Sequence, residues 1–63
     1  MEYSDPNHPF HELYDRVMLS TYRAYSDNKD PEPNPYQIGT EEYKAFETGV
    51  AEGCDCAVIV AMA

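Results

Sequence analysis

The first hydrophobic segment of the chain has the spacing of an amphipathic helix. Apolar and small residues recur at three- and four-residue steps from Phe10 to Tyr25. Asp5 or Asn7 can cap such a helix, so the pattern predicts a helix over about residues 8–26. Three further residues widen its apolar stripe: Met18, Leu19 and Tyr22. That width indicates either burial on two sides or an exposed surface left for a partner.

A proline-rich connector separates this segment from the next one. Asn28 tolerates the left-handed conformation that ends many helices, and residues 27–39 contain three prolines and a glycine. Such a stretch forms neither a helix nor a paired strand, so we predict a semi-rigid, extended connector. Gly39 allows a sharp turn, and the hydroxyl of Thr40 can cap a second helix.

The second hydrophobic segment also has a helical period. Tyr43, Phe46 and Val50 form one apolar stripe, which residues 54–61 continue. The pattern predicts a helix over about residues 40–61, with a possible break at Gly53, since glycine weakens helices. The alternative for residues 54–60 is a short strand, because Val-Ile-Val is β-prone. We favour the helix, since a lone strand has nothing to pair with.

These elements predict an all-α protein, a small antiparallel helical hairpin. The 63 residues suffice for one small domain, with residues 1–6 frayed and 27–39 as the connector. A domain of this size is marginally stable unless a dimer, a partner, a metal or a disulfide supports it.

The charge of the chain is strongly negative and unevenly distributed. Twelve Asp and Glu against four Lys and Arg give a net charge of −8. Residues 1–15 hold four acids and no Lys or Arg, and residues 30–63 hold seven acids and Lys44. Phosphate backbones repel such a chain, so we expect no direct nucleic-acid binding. The expected partner is a basic protein surface, although acidity can also serve solubility alone.

The first residues and the longest apolar run bear on localisation. Met-Glu-Tyr-Ser-Asp lacks the basic and apolar regions of a secretory signal. The run from Cys56 to Ala63 is far shorter than the ~20 residues that cross a bilayer. We therefore expect a cytoplasmic protein that does not enter membranes and keeps its cysteines reduced.

Part of the chain resembles a known family. Asn34-Pro35-Tyr36, Gly39-Thr40, Tyr43, Ala45-Phe46 and Gly49-Val50 resemble the second half of the ribosome modulation factor family and its small phage and mobile-element relatives. The resemblance covers residues 34–53 and implies a helical hairpin of prokaryotic or phage origin. Phe46 and Val50 stand where the family prefers Trp. The family's Arg-rich first helix is reduced to Arg16 and Arg23, so the resemblance argues little for RNA binding.

Two imidazoles and two thiols are the complement of a structural zinc site: His8, His11, Cys54 and Cys56. The Cys-x-Cys spacing departs from the usual knuckle, and on a helix the two thiols diverge by about 200°. We therefore interpret them as surface histidines and partly buried thiols, with neither metal nor cofactor.

No grouping of residues predicts catalysis. Ser20, Thr21 and the histidines form no evident nucleophile–base set, and no Gly-rich phosphate-binding loop is present. The six tyrosines are many for this length. We expect Tyr14 and Tyr43 in the core and Tyr22 and Tyr36 at an interface.

The sequence therefore predicts a protein-binding module that occludes a basic, nucleic-acid-handling protein. The specific protein class predicted for this module is a phage-encoded inhibitor of host defence, such as an anti-CRISPR. The alternatives are a ribosome-associated stress factor and a homodimeric scaffold. The predicted partner-binding residues are Tyr22, Tyr36, Glu41, Glu42, Glu47, Glu52 and Asp55.

Overall fold

Two α-helices make up most of the chain. The structure, a computed structural model, describes residues 2–62, and side chains over 3–60. A 3-10 turn spans Glu2–Ser4, α1 spans His11–Ser26 and α2 spans Glu41–Met62. The predicted all-α helical hairpin is confirmed as a pair of helices packed on one another. Within residues 2–62 there is no strand, so the strand alternative for 54–60 is wrong.

Helix α1 begins later than predicted and ends where expected. It starts at His11 rather than residue 8, and Phe10 at its N-cap position provides no side-chain cap. The Asp5 carboxylate accepts instead from the backbone N–H of Asn7, at 2.9 Å. At the other end Asn28 takes the left-handed conformation, with φ of 59°. The N–H groups of residues 28 and 29 then satisfy the carbonyls of residues 25 and 24, which closes the helix as a Schellman motif.

Helix α2 begins as its local sequence predicts. Gly39 has φ of 98°, a conformation that residues with a side chain rarely adopt. The hydroxyl of Thr40 accepts from the backbone N–H of Tyr43 at 3.2 Å. The predicted cap is thus confirmed, and the helix starts at Glu41.

Gly53 does not break α2, which continues to Met62. Gly49 and Gly53 are both buried against α1. A methyl group on Gly49 would lie 2.8 Å from the carbonyl oxygen of Tyr14, and one on Gly53 would lie 2.5 Å from that of Met18. The two glycines therefore let the helix backbones approach more closely than any side chain permits.

The contacts of these glycines show that the two helices run in the same direction. Gly49 faces Tyr14 and Val17, whereas Gly53, one turn further along α2, faces Met18 and Thr21, one turn further along α1. In an antiparallel pair the order would be reversed. The antiparallel direction predicted from the sequence is therefore corrected: α1 and α2 run the same way.

The connector makes this direction possible by running back along α1. Its Glu32 carboxylate lies 3.3 Å from the guanidinium of Arg16, ten residues before the end of α1. Further on, the Asn34 side-chain amide donates to the carbonyl of Tyr43 at 3.2 Å, and the ring of Tyr36 packs edge-on against Phe46. The start of α2 is thereby placed beside the start of α1.

The N-terminal segment contacts both helices through Tyr3. Tyr3 is 6% exposed and belongs to the core with Tyr14 and Ala45. Its hydroxyl donates to Glu41 at 3.0 Å, and its carbonyl oxygen lies 2.9 Å from Nδ1 of His11. Tyr3 thus joins the start of α1 to the start of α2. Met1 lies outside the described residues.

The centre of the helix interface is small and almost completely buried. Val17, Ala45 and Phe46 are buried, and Tyr14 is buried as predicted. Tyr43, which was also expected in the core, is only half-buried. Thr21 is fully buried and its hydroxyl makes no hydrogen bond with any described residue.

We expect Gly53→Ala to destabilise the fold by about 1–2 kcal/mol, because the overlap with Met18 and Thr21 outweighs the gain of up to ~1 kcal/mol in helix propensity. Urea unfolding followed by circular dichroism measures the change. Ala51→Gly, at an exposed position of the same helix, measures the propensity contribution alone. A Gly53→Ala variant that is more stable than the wild type contradicts the close approach.

We expect Thr21→Val to stabilise the fold by about 1 kcal/mol, because it replaces an unsatisfied buried hydroxyl with a methyl group of similar size. Thr48→Val, at a half-buried position of α2, is the control and should change the free energy of unfolding less. A loss of stability in Thr21→Val would mean that the hydroxyl has a partner in solution.

Candidate protein-binding surfaces

The common direction of the helices places their first halves at one end of the molecule. Six of the carboxylates with described side chains lie in residues 3–15 and 41–47, and Lys44 is the one Lys or Arg in these ranges. We call this group the acidic end; its members are Asp5, Glu12, Asp15, Glu41, Glu42 and Glu47. An antiparallel pair would have placed the acids of residues 3–15 beside the apolar last turns of α2 instead.

Little inside the molecule neutralises the acidic end. Among the described residues the ion pair within 4.0 Å joins Arg16 to Glu32, and neither belongs to this group. Glu41 is held by the hydroxyl of Tyr3, a neutral donor. The neighbouring Glu47 carboxylate raises the pKa of the Tyr43 hydroxyl, as a hydrogen-bond acceptor first and by its negative charge second. These contacts orient the carboxylates and leave their charge for an external partner.

The seven predicted partner-binding residues separate into two groups. Glu41, Glu42 and Glu47 lie in the first half of α2, and Tyr36 packs beside them against Phe46. The others, Tyr22, Glu52 and Asp55, lie in the second halves of the two helices. The seven residues are therefore distributed along both halves of the helix pair.

The second group borders a shallow apolar groove of about 230 Å³. Its lining comes from both helices: Met18, Leu19, Tyr22 and Cys56. Glu52 precedes Cys56 by one helical turn. The pKa of Tyr14 is raised by burial first and then by the neighbouring groups Glu52, Cys56 and Asp15. The groove thus has an acidic border on its α2 side.

The four residues of the zinc set are not gathered into a site. Within the described part of the chain, no three His, Cys, Asp or Glu side chains are placed to hold one metal ion. The imidazole of His8 accepts from the backbone N–H of Phe10 at 3.1 Å, and His11 contacts the carbonyl of Tyr3. Cys54 is half-buried and Cys56 is exposed. Cys54, as a hydrogen-bond partner, is the largest cause of the raised pKa of Tyr25.

Neither helix of the described chain combines the length and the apolar character that crossing a membrane requires. The last turns of α2 are nevertheless apolar and exposed at Val58, Ile59 and Val60, because α1 ends before it can cover them.

Comparison of the chain with family models, with curated proteins and with solved structures gives no match. The resemblance to the ribosome modulation factor family therefore stays a prediction based on residues 34–53.

Sequence reasoning missed several members of both surfaces. Asp5 and Glu12 join the acidic end only because the helices share a direction, which hydrophobic periodicity does not encode. Leu19 and Cys56 join the groove because Gly49 and Gly53 bring α1 close to α2. The spacing of these two glycines, four residues apart, was the available signal, since small residues at that spacing permit close helix packing.

We expect Tyr3→Phe to destabilise the fold by about 1 kcal/mol, because it removes a partly buried hydrogen bond to the carboxylate of Glu41. Chemical unfolding gives the value, and amide hydrogen exchange of residues 2–5 should accelerate. Tyr36→Phe makes the same change on a more exposed ring and is the control. Equal effects of the two substitutions would show that the Tyr3–Glu41 bond contributes nothing.

Proposed function

We propose that this chain is a small acidic binding module that occludes a basic, nucleic-acid-handling protein by presenting its acidic end in place of phosphates. The observation that carries the proposal is the collection of six carboxylates from both helices at one end of the molecule, with Lys44 as the one base in the same ranges. Grooves that bind nucleic acid are lined with Lys and Arg, so they have the charge that complements this end.

The placement of the carboxylates supports a role in binding. Glu12, Glu41 and Glu42 lie in the first turns of the two helices, where the helix dipoles favour negative charge, and Tyr3 holds Glu41, so this part of the acidic end is pre-organised. Direct nucleic-acid binding is disfavoured, since contact with phosphates requires basic side chains.

The specific function that we propose for this module is that of a stoichiometric inhibitor encoded by a phage or mobile element, for example an anti-CRISPR protein. Such partners act in the cytoplasm, the localisation predicted from the sequence. For a ribosome-associated factor, the alternative, the acidic end would have to contact a basic ribosomal protein, because ribosomal RNA repels it.

The test compares two variants that lose the same three negative charges at different places. Glu12→Gln/Glu41→Gln/Glu47→Gln neutralises three exposed members of the acidic end, and glutamine can still accept the bonds from Tyr3 and Tyr43. Asp27→Asn/Asp30→Asn/Glu32→Gln, also at exposed positions, is the matched control. Each chain is immobilised, exposed to nuclease-treated bacterial lysate and assayed by quantitative mass spectrometry.

We expect the wild type and the control to retain a basic nucleic-acid-binding protein, and the acidic-end variant to retain about tenfold less of it, since each exposed pair contributes ~0.2–1 kcal/mol. Duplex DNA should displace the captured protein, and raising NaCl from about 0.05 to 0.5 M should release it. Equal capture by both variants, or DNA and chain bound to the partner together, would contradict the proposal.

A further inference from the structure

The most exposed large apolar side chain among the described residues lies in the turn that precedes α2. Ile38 is 80% exposed, more than any other large hydrophobic side chain described. It stands two residues after Tyr36, whose ring packs against Phe46, and three residues before Glu41, the first residue of α2 and a member of the acidic end. The chain thus displays an apolar side chain immediately before carboxylates of the acidic end.

Hydrogen bonds close the turn that carries Ile38. The backbone N–H of Thr40 donates to the carbonyl of Gln37 at 3.3 Å, and the hydroxyl of Thr40 donates to the same carbonyl at 2.8 Å. Between them Ile38 has a negative φ and Gly39 a φ of 98°, which is the pattern of a type II turn. Ile38 therefore occupies the second position of a closed turn.

Asn34 ties the approach to this turn onto α2. Its side-chain oxygen accepts from the backbone N–H of Tyr36 at 3.0 Å, and its side-chain amide donates to the carbonyl of Tyr43 at 3.2 Å. The chain is thus held on both sides of Ile38. A side chain presented from a pre-organised turn can be buried by a partner at a small cost in ordering.

An ordered apolar side chain next to carboxylates combines the two features by which a single-stranded nucleic acid is bound. A single strand presents phosphates to a basic groove and unpaired nucleobases to aromatic platforms beside that groove. A duplex keeps its nucleobases stacked, and proteins reach only their polar edges. An exposed apolar group beside the negative charges therefore fits a protein that binds single strands better than one that binds duplexes.

We propose, building on the proposed function, that the occluded partner is a protein that binds single-stranded nucleic acid. Ile38 packs on the platform where a nucleobase would stack, and the acidic end lies in the adjoining phosphate track. Tyr36, 36% exposed beside this turn, adds aromatic contact area.

The first test is a competition. The protein that the immobilised wild-type chain retains from nuclease-treated lysate is purified, and its complex with the chain is titrated with oligo(dT), oligo(U) and duplex DNA, each of about 20 nucleotides or base pairs, longer than the ~4–16 nucleotides that one single-strand-binding fold covers. We expect one of the single strands to displace the chain at a concentration about tenfold lower than the duplex does. Displacement by the duplex at an equal or lower concentration overturns this inference and leaves the proposed function standing.

The second test removes the apolar side chain. Ile38→Ser should bind the purified partner about tenfold more weakly, because one aliphatic side chain is no longer buried. Since that contact is uncharged, the factor should stay the same between about 0.05 and 0.2 M NaCl. Ile59→Ser is the matched control, because it makes the same change at a 66% exposed position towards the end of α2.

Wild-type affinity in Ile38→Ser, or an equal loss in Ile59→Ser, overturns the inference while the proposed function stands. A wild-type chain that retains no basic protein overturns both, so the two failures are distinguishable.

The third test measures the order of the turn without a partner. Amide ¹⁵N relaxation of the wild type should give order parameters of about 0.8 or more at residues 37–39, close to those of rigid backbone. Asn34→Ala should lower these values and weaken binding to the purified partner several-fold, although Ile38 is retained. Order parameters below about 0.6 in the wild type would show that the turn is not pre-organised and would contradict the inference.

Discussion

The fold depends on the close approach of α1 and α2 at Gly49 and Gly53. A methyl group at either glycine would overlap the backbone of α1, so the two helices meet backbone to backbone. This contact sets the register of the pair and aligns successive turns of α2 with successive turns of α1. Because the two helices run the same way, the connector must return the chain to the start of α1. Its prolines hold it extended along that path.

The shared direction then determines where charge and apolar surface lie. The starts of both helices carry the acids of residues 3–15 and 41–47, and Tyr3 ties them together through Glu41. The ends of the helices are apolar instead, because α2 extends beyond the end of α1 and exposes Val58, Ile59 and Val60. The two helix dipoles also point the same way, so their positive ends both support the acidic end.

Local signals in the sequence predicted the element boundaries well. The cap at Thr40, the turn at Gly39 and the left-handed Asn28 each depend on a few adjacent residues, which a single sequence contains. The relative direction of the helices does not depend on adjacent residues, because contacts between residues that are distant in the sequence determine it. The possible break at Gly53 does not occur, because the energy of packing against Thr21 outweighs the low helix propensity of glycine. Of the five predicted acids, Glu41, Glu47 and Asp55 are exposed, and Glu42 and Glu52 are half-buried.

The acidic end and the groove adjoin one another along the helices. Asp15 belongs to the acidic end, Glu52 lies one turn before the groove residue Cys56, and both carboxylates act on the same side chain, Tyr14. Charges further apart than the Debye length of about 8 Å at physiological salt are largely screened, whereas charges this close act together. A basic surface placed at the acidic end would therefore also lie within the field of Glu52.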